Sequence, residues 1–122
     1  MTKLIYLASP YSHPDPNVRH ERWTKICAIA AELLCKGYHV ISPIAHTHPM
    51  ALVGQLPFDW DFWAVYDENI ITRCDELWIV MLGGWSASKG LKAEREIAGR
   101  LKKPVVYLTE RKAKELPKVA HG

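Results

Sequence analysis

A glutamate stands on what is otherwise the apolar face of a helix. Glu94 lies at the centre of a stripe that repeats at about 100° per residue and comprises Leu91, Ile97, Ala98 and Leu101. Glu96, by contrast, points away from this stripe. A carboxylate on a core face costs several kcal/mol unless it is hydrogen-bonded or lies at a cleft, so catalysis is one explanation for Glu94. The alternative is that the helix starts at the sheet edge, where Glu94 meets water and favours the positive helix N-terminus.

Asp67 supplies a second carboxylate on the apolar face of the preceding helix. That face is formed by Trp63, Ile70, Ile71 and Cys74. Two carboxylates that face inward from neighbouring helices indicate a shared site, because one can act as nucleophile or base while the other donates a proton. The alternative is a structural role for Asp67, which would then cap a loop or pair with Arg73 or Arg19.

Polar residues between Ser86 and Gly90 precede the helix that carries Glu94. Hydroxyl groups and backbone N–H groups at a helix start stabilise anions, which makes this segment a candidate phosphate site. The alternative is that Ser88 is only an N-cap. Neither the Walker spacing nor the glycine-rich dinucleotide fingerprint occurs in the sequence, so we predict no cofactor.

Histidines and tryptophans in loop-like segments complete the candidate site. His46 and His48 have no third ligand at a diagnostic spacing, so we predict no metal and expect one of them, with His46 as the candidate, to line a pocket. Trp60 and Trp85 are candidates for stacking on a base. The alternative for both tryptophans is a place in the core.

The elements that must position these residues alternate between strands and helices. Apolar runs predict strands at 4–8, 38–42, 76–82 and 104–108, and helical spacing predicts helices at about 15–37, 58–74 and 88–100. Residues 43–57 carry Pro, Gly and His without a clear period, which indicates a functional loop or a broken helix. The order predicts a single α/β domain over residues 1–122, with a doubly wound, mostly parallel, flavodoxin-like or Rossmann-like sheet of about four or five strands. Such sheets bind ligands beyond the carboxyl ends of their strands.

Composition restricts the class of protein. A chain of 122 residues with 48% hydrophobic residues supports one core, and a net charge of +3 spread along the chain argues against binding to a nucleic acid polymer. No run of about 18 apolar residues occurs, so we expect no membrane segment. Three cysteines in apolar contexts are typical of reduced core residues, and the first strand begins too early for a signal peptide, so we predict a cytoplasmic protein.

These residues together resemble the nucleoside 2-deoxyribosyltransferase superfamily over nearly the whole chain. Residues 5–11 are similar to the family's first strand and loop, in which Tyr6 takes the position of a tyrosine that orients the catalytic glutamate. The family's Gly-x-x-x-Glu occurs here as Gly90 and Glu94, and its Lys-Pro-Val, nine residues after the glutamate, occurs as residues 103–105.

Two further positions refine the resemblance. Asp67, with Asp75 eight residues later, resembles the family's aspartate that contacts the base or its proton. Ser88 stands where the deoxyribosyltransferases carry an aspartate for the sugar 5′-hydroxyl, and the branch of 2′-deoxynucleoside 5′-phosphate N-hydrolases also has serine there, beside phosphate. The basic residue of that branch's first loop has no counterpart among residues 9–13, and residues 84–88 are closest to an uncharacterised bacterial and phage branch.

The resemblance implies cleavage of the base–sugar bond of a nucleoside or its 5′-monophosphate. Glu94 would attack the anomeric carbon, Asp67 would protonate the departing base and Tyr6 would orient Glu94. The residues that would hold the sugar and any phosphate are Ala8, Ser9, Pro10, Tyr11, Ser88 and Gly90. The alternatives are deoxyribosyl transfer between bases, a non-catalytic nucleotide or nucleotide-sugar sensor, and an α/β interaction module whose buried carboxylates are structural.

The resemblance also implies a homo-oligomer, either a dimer or a tetramer, because the family's sites are completed by a neighbouring subunit. The basic segment after about Thr109 is weakly periodic. We expect this segment to be extended or to contact the neighbouring subunit.

Overall fold

Four parallel strands form the centre of the computed structural model, which describes residues 2–119. They are β1 (Leu4–Ala8), β2 (His39–Ile41), β3 (Glu76–Val80) and β4 (Val105–Leu108), and their order in the sheet is β2-β1-β3-β4. The helices are α1 (Pro16–Cys35), α2 (Pro43–Gly54), α3 (Trp60–Arg73), α4 (Lys89–Arg100) and α5 (Glu110–Glu115). The predicted α/β fold with a doubly wound, Rossmann-like sheet is confirmed.

Alternating side chains along β1 divide the core into two layers. Ile5 and Leu7 belong to the layer that includes the buried face of α1, whereas Tyr6 and Ala8 belong to the layer that includes α3 and α4. Both layers are apolar, which explains why the strands are continuous apolar runs. Tyr6 therefore lies on the same side of the sheet as the helix that carries Glu94.

Helix α1 begins and ends as its sequence predicts. Asp15 is the N-cap and accepts a hydrogen bond from the backbone N–H of Asn17 at 2.9 Å, with Pro16 at the first helical position. The helix ends at Cys35, which is exposed, so the expectation of a core position is wrong for this cysteine. Within residues 2–119, no helix is both long enough and apolar enough to cross a membrane.

Helix α2 occupies most of the segment for which the sequence indicated a loop or a broken helix. The sequence of this helix shows no clear helical pattern of apolar residues, because its buried positions include the polar residues Thr47 and His48. Pro49 lies inside the helix and has no N–H to donate to the carbonyl of Ala45. The indole N–H of Trp23 in α1 donates to that carbonyl instead, at 3.2 Å, and this contact joins the two helices.

The segment after Thr109 folds back onto the domain, in contrast to the predicted extended conformation. It forms α5, in which Ala113 is buried in the same layer as α1. The hydroxyl of Tyr38 donates to the carbonyl of Pro117 at 2.8 Å and holds the chain beyond the helix. The rest of this predicted segment, residues 120–122, and residue 1 of the predicted domain lie outside the described residues.

Candidate functional site

A cleft opens where the carboxyl end of β1 meets the start of α4. It lies at the point where the sheet order reverses, because β2 lies on one side of β1 and β3 on the other. The empty space in the cleft is about 570 Å³, which includes open solvent at its mouth. The predicted site residues that line it are Tyr6, Ala8, Ser9, Tyr11, Trp60, Asp67, Ser88, Gly90 and Glu94.

Glu94 is a buried carboxyl group held by a buried tyrosine. It is 7% exposed, and its Oε2 accepts a hydrogen bond from the hydroxyl of Tyr6, which is 1% exposed. Burial raises the pKa of Glu94 to about 8, with a further increase from the charge of Asp67 and a partial decrease from the Tyr6 hydrogen bond. The alternative in which Glu94 meets water at the sheet edge is therefore wrong.

Asp67 reaches the same cleft from α3. Burial raises the pKa of this carboxyl to about 7, and the nearby hydroxyl of Tyr6 lowers it in part. The two arginines proposed as partners for Asp67 are engaged elsewhere, because Arg73 donates to Asn69 and Arg19 to the carbonyl of His13. The ion-pair alternative for Asp67 is therefore wrong.

The two carboxyl groups and one phenol form a proton-sharing unit. Tyr6 has a single O–H to donate, and burial raises its own pKa well above the usual value, so it stays protonated. Between pH 7 and 8 the two carboxyls together hold about one proton, because their pKa values are about 7 and about 8. A carboxylate and a carboxylic acid are thus present together, with the proton mostly on Glu94 because its pKa is the higher of the two. A nucleophile beside a proton donor requires such a pair.

The start of α4 supplies hydroxyl and N–H groups to the cleft. Ser88 is the N-cap, and its Oγ accepts from the backbone N–H of Leu91 at 3.2 Å, so both the cap role and the cleft position hold for this serine. A Cβ added to Gly90 would lie 3.6 Å from a ring carbon of Trp60, so the glycine leaves space in the wall. The buried Oγ of Ser9 has no hydrogen-bond partner within residues 2–119.

Residues 3–110 match a family described as a domain of unknown function, DUF1937. The chain belongs to this family. The match includes every residue that lines the cleft. No curated protein matches the sequence.

Three predicted residues of this DUF1937 protein lie outside the cleft. Pro10 is fully buried within the first loop, and Trp85 packs edge-on against Tyr107, with their ring centroids 6.0 Å apart. His46 is exposed on α2, because two residues along a helix separate side chains by about 200° and His48 is the buried one. Among the described residues, no three His, Cys, Asp or Glu side chains lie close enough together to hold a metal ion.

The cleft of this DUF1937 protein also contains residues that were not among the predicted site residues. They come mainly from α2 and from the segment before α3, and they include Ser12, Pro43, Ile44, Thr47, Phe58, Asp59 and Trp63. Trp63 could stack on a base, but its place on the apolar stripe of α3 is more typical of a core residue. The cluster of aromatic residues at 58, 60 and 63 is the sequence feature that could have indicated this wall of the cleft, because one helical turn cannot bury three large rings.

Proposed function

We propose that this protein is an N-glycosidase that cleaves the base–sugar bond of a nucleoside or of its 5′-monophosphate. The observation that carries the proposal is the Tyr6 hydroxyl bound to a buried Glu94, with Asp67 facing the same cleft. Glu94 has no ion-pair partner within residues 2–119, and a buried carboxyl without one destabilises a fold, which favours a catalytic role. The resemblance of these positions to the nucleoside 2-deoxyribosyltransferase superfamily supports the same chemistry.

The reaction proceeds in two displacements. The first starts from the less populated arrangement of the pair, in which the shared proton lies on Asp67 and the Tyr6 hydrogen bond stabilises the Glu94 carboxylate. The Glu94 carboxylate attacks the anomeric carbon, the bond to the base breaks, and the proton of Asp67 passes to the departing base. In the second, the Asp67 carboxylate takes a proton from water, which displaces Glu94 and releases the sugar. Tyr6 holds Glu94 in place through its hydrogen bond, so the carboxylate needs no reorientation before attack.

The groups around the carboxyls match the parts of a nucleotide. Ser9, Ser88 and the N–H groups at the start of α4 suit the sugar and a 5′-phosphate, because the positive end of a helix favours an anion. The hydroxyl of Ser9, which has no partner in the described part of the chain, can donate to such a ligand. Trp60 and Trp63 offer ring faces on which a base can stack.

A homo-oligomer is part of the proposal. Exposed large apolar side chains concentrate between residues 50 and 66, and one of them, Phe58, lines the cleft. They are Met50, Leu52, Val53, Leu56, Phe58, Phe62, Val65 and Tyr66. Such a concentration is typical of a protein–protein interface, and a second copy of the chain would cover it. The free thiols of the described chain suit a reducing compartment, so the proposed location is the cytoplasm.

The deciding experiment is an assay of free base released from a panel of nucleosides and nucleoside 5′-monophosphates. We expect the wild-type protein to release base and Glu94→Ala to lower kcat more than about 1,000-fold. Glu96→Gln is the matched control, because Glu96 lies exposed on the same helix. Release at the wild-type rate by Glu94→Ala would refute the proposal, and binding without release would favour a sensor.

A further inference from the structure

His48 lies deep in α2, behind the wall of the cleft. It is 2% exposed, and its ring stacks on Trp23 with the centroids 4.9 Å apart and an angle of 29° between the planes. Its Nδ1 forms a hydrogen bond of 2.7 Å with the hydroxyl of Tyr11, which lines the cleft. His48 is therefore one residue removed from the ligand space.

Only one of the two ring nitrogens of His48 has a hydrogen-bond partner within the described part of the chain. Its Nε2 is buried and has no hydrogen-bond partner within the described part of the chain. Burial lowers the pKa of His48, and the nearby charges of His20 and Arg19 lower it further, so the ring is neutral. A buried, unpaired ring nitrogen costs stability that an apolar side chain of similar size would not. The Tyr11 hydrogen bond is the one polar contact that explains a histidine here.

Tyr11 lies on the loop that follows β1. Because it is not part of a helix or strand, its ring needs a side-chain contact such as the His48 hydrogen bond to hold it in place. Its ring is half-buried, and its edge meets the His48 ring at 80°, with the centroids 5.5 Å apart. The adjoining part of the wall is held in a similar way, because the guanidinium of Arg19 covers the ring of Phe58 at 3.9 Å. Two of the aromatic rings that line the cleft, those of Tyr11 and Phe58, are thus each in contact with a residue outside it.

We propose that His48 is a positioning residue that holds the Tyr11 ring in the cleft wall and thereby sets the affinity for the ligand. The assignment of the ligand as a nucleoside 5′-monophosphate rests on the proposed function. The positioning of Tyr11 by His48 rests only on the contacts described above.

The first test compares His48→Leu, His48→Asn and Tyr11→Phe in the base-release assay. His48→Leu should keep or raise Tm yet raise KM about fivefold, the factor expected from one lost hydrogen bond, with kcat within about twofold of wild type. His48→Asn should restore KM in part, because its amide places a polar atom near the position of Nδ1. Adding His48→Leu to Tyr11→Phe should raise KM no further. An unchanged KM in His48→Leu, or additive effects of the two changes, would overturn the proposal.

The second test needs no turnover. In protein labelled with 3-fluorotyrosine, the ¹⁹F resonance of Tyr11 is identified by its loss in Tyr11→Phe. His48→Leu should shift and broaden this resonance, and His48→Asn should reverse much of the change. A resonance that stays the same in His48→Leu would overturn the positioning role, even if the enzyme were active. A wild-type protein that releases no base would instead refute the proposed function, while the ¹⁹F result would still decide the role of His48.

Discussion

Glu94 and Asp67 determine the pH range in which the cleft can act. Below pH 7 both carboxyls are protonated and there is no nucleophile, whereas above pH 8 both are ionised and there is no acid, because their pKa values are about 8 and about 7. We therefore expect a narrow, bell-shaped dependence of kcat/KM on pH, with its limbs near 7 and 8. A profile that is flat from pH 6 to 9 would contradict the shared-proton arrangement.

Asp67→Asn should leave only one of the two limbs of that pH profile. The amide cannot donate the proton to the base, so kcat should fall about 100-fold to 10,000-fold. It also removes the charge that raises the pKa of Glu94, so the residual activity should rise through a single limb at a lower pH. Asp61→Asn, which changes an exposed carboxyl on the same helix, is the control and should leave the profile intact.

The raised pKa of Glu94 also makes a prediction about stability. The folded state binds this proton more tightly than the unfolded state, so the contribution of Glu94 to the free energy of unfolding decreases as pH rises from about 4.5 to about 8. Glu94→Gln removes this pH-dependent loss of stability, and its amide oxygen can still accept the hydrogen bond from the Tyr6 hydroxyl. At pH 8.5 it should exceed wild type by at least about 1 kcal/mol, since one pKa unit corresponds to about 1.4 kcal/mol. Urea unfolding at pH 5 and 8.5 measures this, and a less stable Glu94→Gln at pH 8.5 would indicate a structural carboxylate.

At the scale of elements, α4 serves both the fold and the cleft. It contains two glycines, and each Gly→Ala change should raise stability by up to about 1 kcal/mol through helix propensity. Of the two, only Gly90 lines the cleft, where an added methyl group would make ordinary contact with the Trp60 ring at 3.6 Å and occupy space open to a ligand. Nothing lies within 4 Å of a Cβ at Gly99. Gly90→Ala should therefore raise KM about tenfold, and Gly99→Ala should not. Thermal unfolding and base release measure the two effects, and equal KM values would show that Gly90 does not shape the site.

At the scale of the whole molecule, the exposed apolar side chains between residues 50 and 66 determine the oligomeric state that we expect. Val65 is 84% exposed on α3, and Val65→Lys should convert a dimer or tetramer of the 13.9 kDa chain into monomers. Leu34→Lys is the matched control, because Leu34 is 54% exposed on α1. Light scattering after size-exclusion chromatography measures the mass. A monomeric wild type would contradict the proposed oligomer.

The order and type of most elements could be predicted from the sequence, because they depend on local periods. The cap Asp15 with Pro16 marks the start of α1, and the apolar runs mark each strand. The period of α4 also placed Glu94 on an inward face, since a helix determines direction without reference to its neighbours. α2 was missed because its buried face carries Thr47 and His48, so the polar signal outweighed the helical one.

The composition of the cleft was decided by the tertiary structure. Strand pairing brings the carboxyl end of β1 beside the start of α4, and the pleat of β1 turns Tyr6 toward Glu94, 88 residues away in the chain. The same packing excludes Trp85 from the cleft and adds rings such as that of Trp63 to its wall. It also buries His48 in place of His46. The sequence by itself determined which residues carry reactive groups and on which face of an element they lie. Only the tertiary structure decided which of them meet, because meeting depends on sheet order and helix packing, which no local period contains.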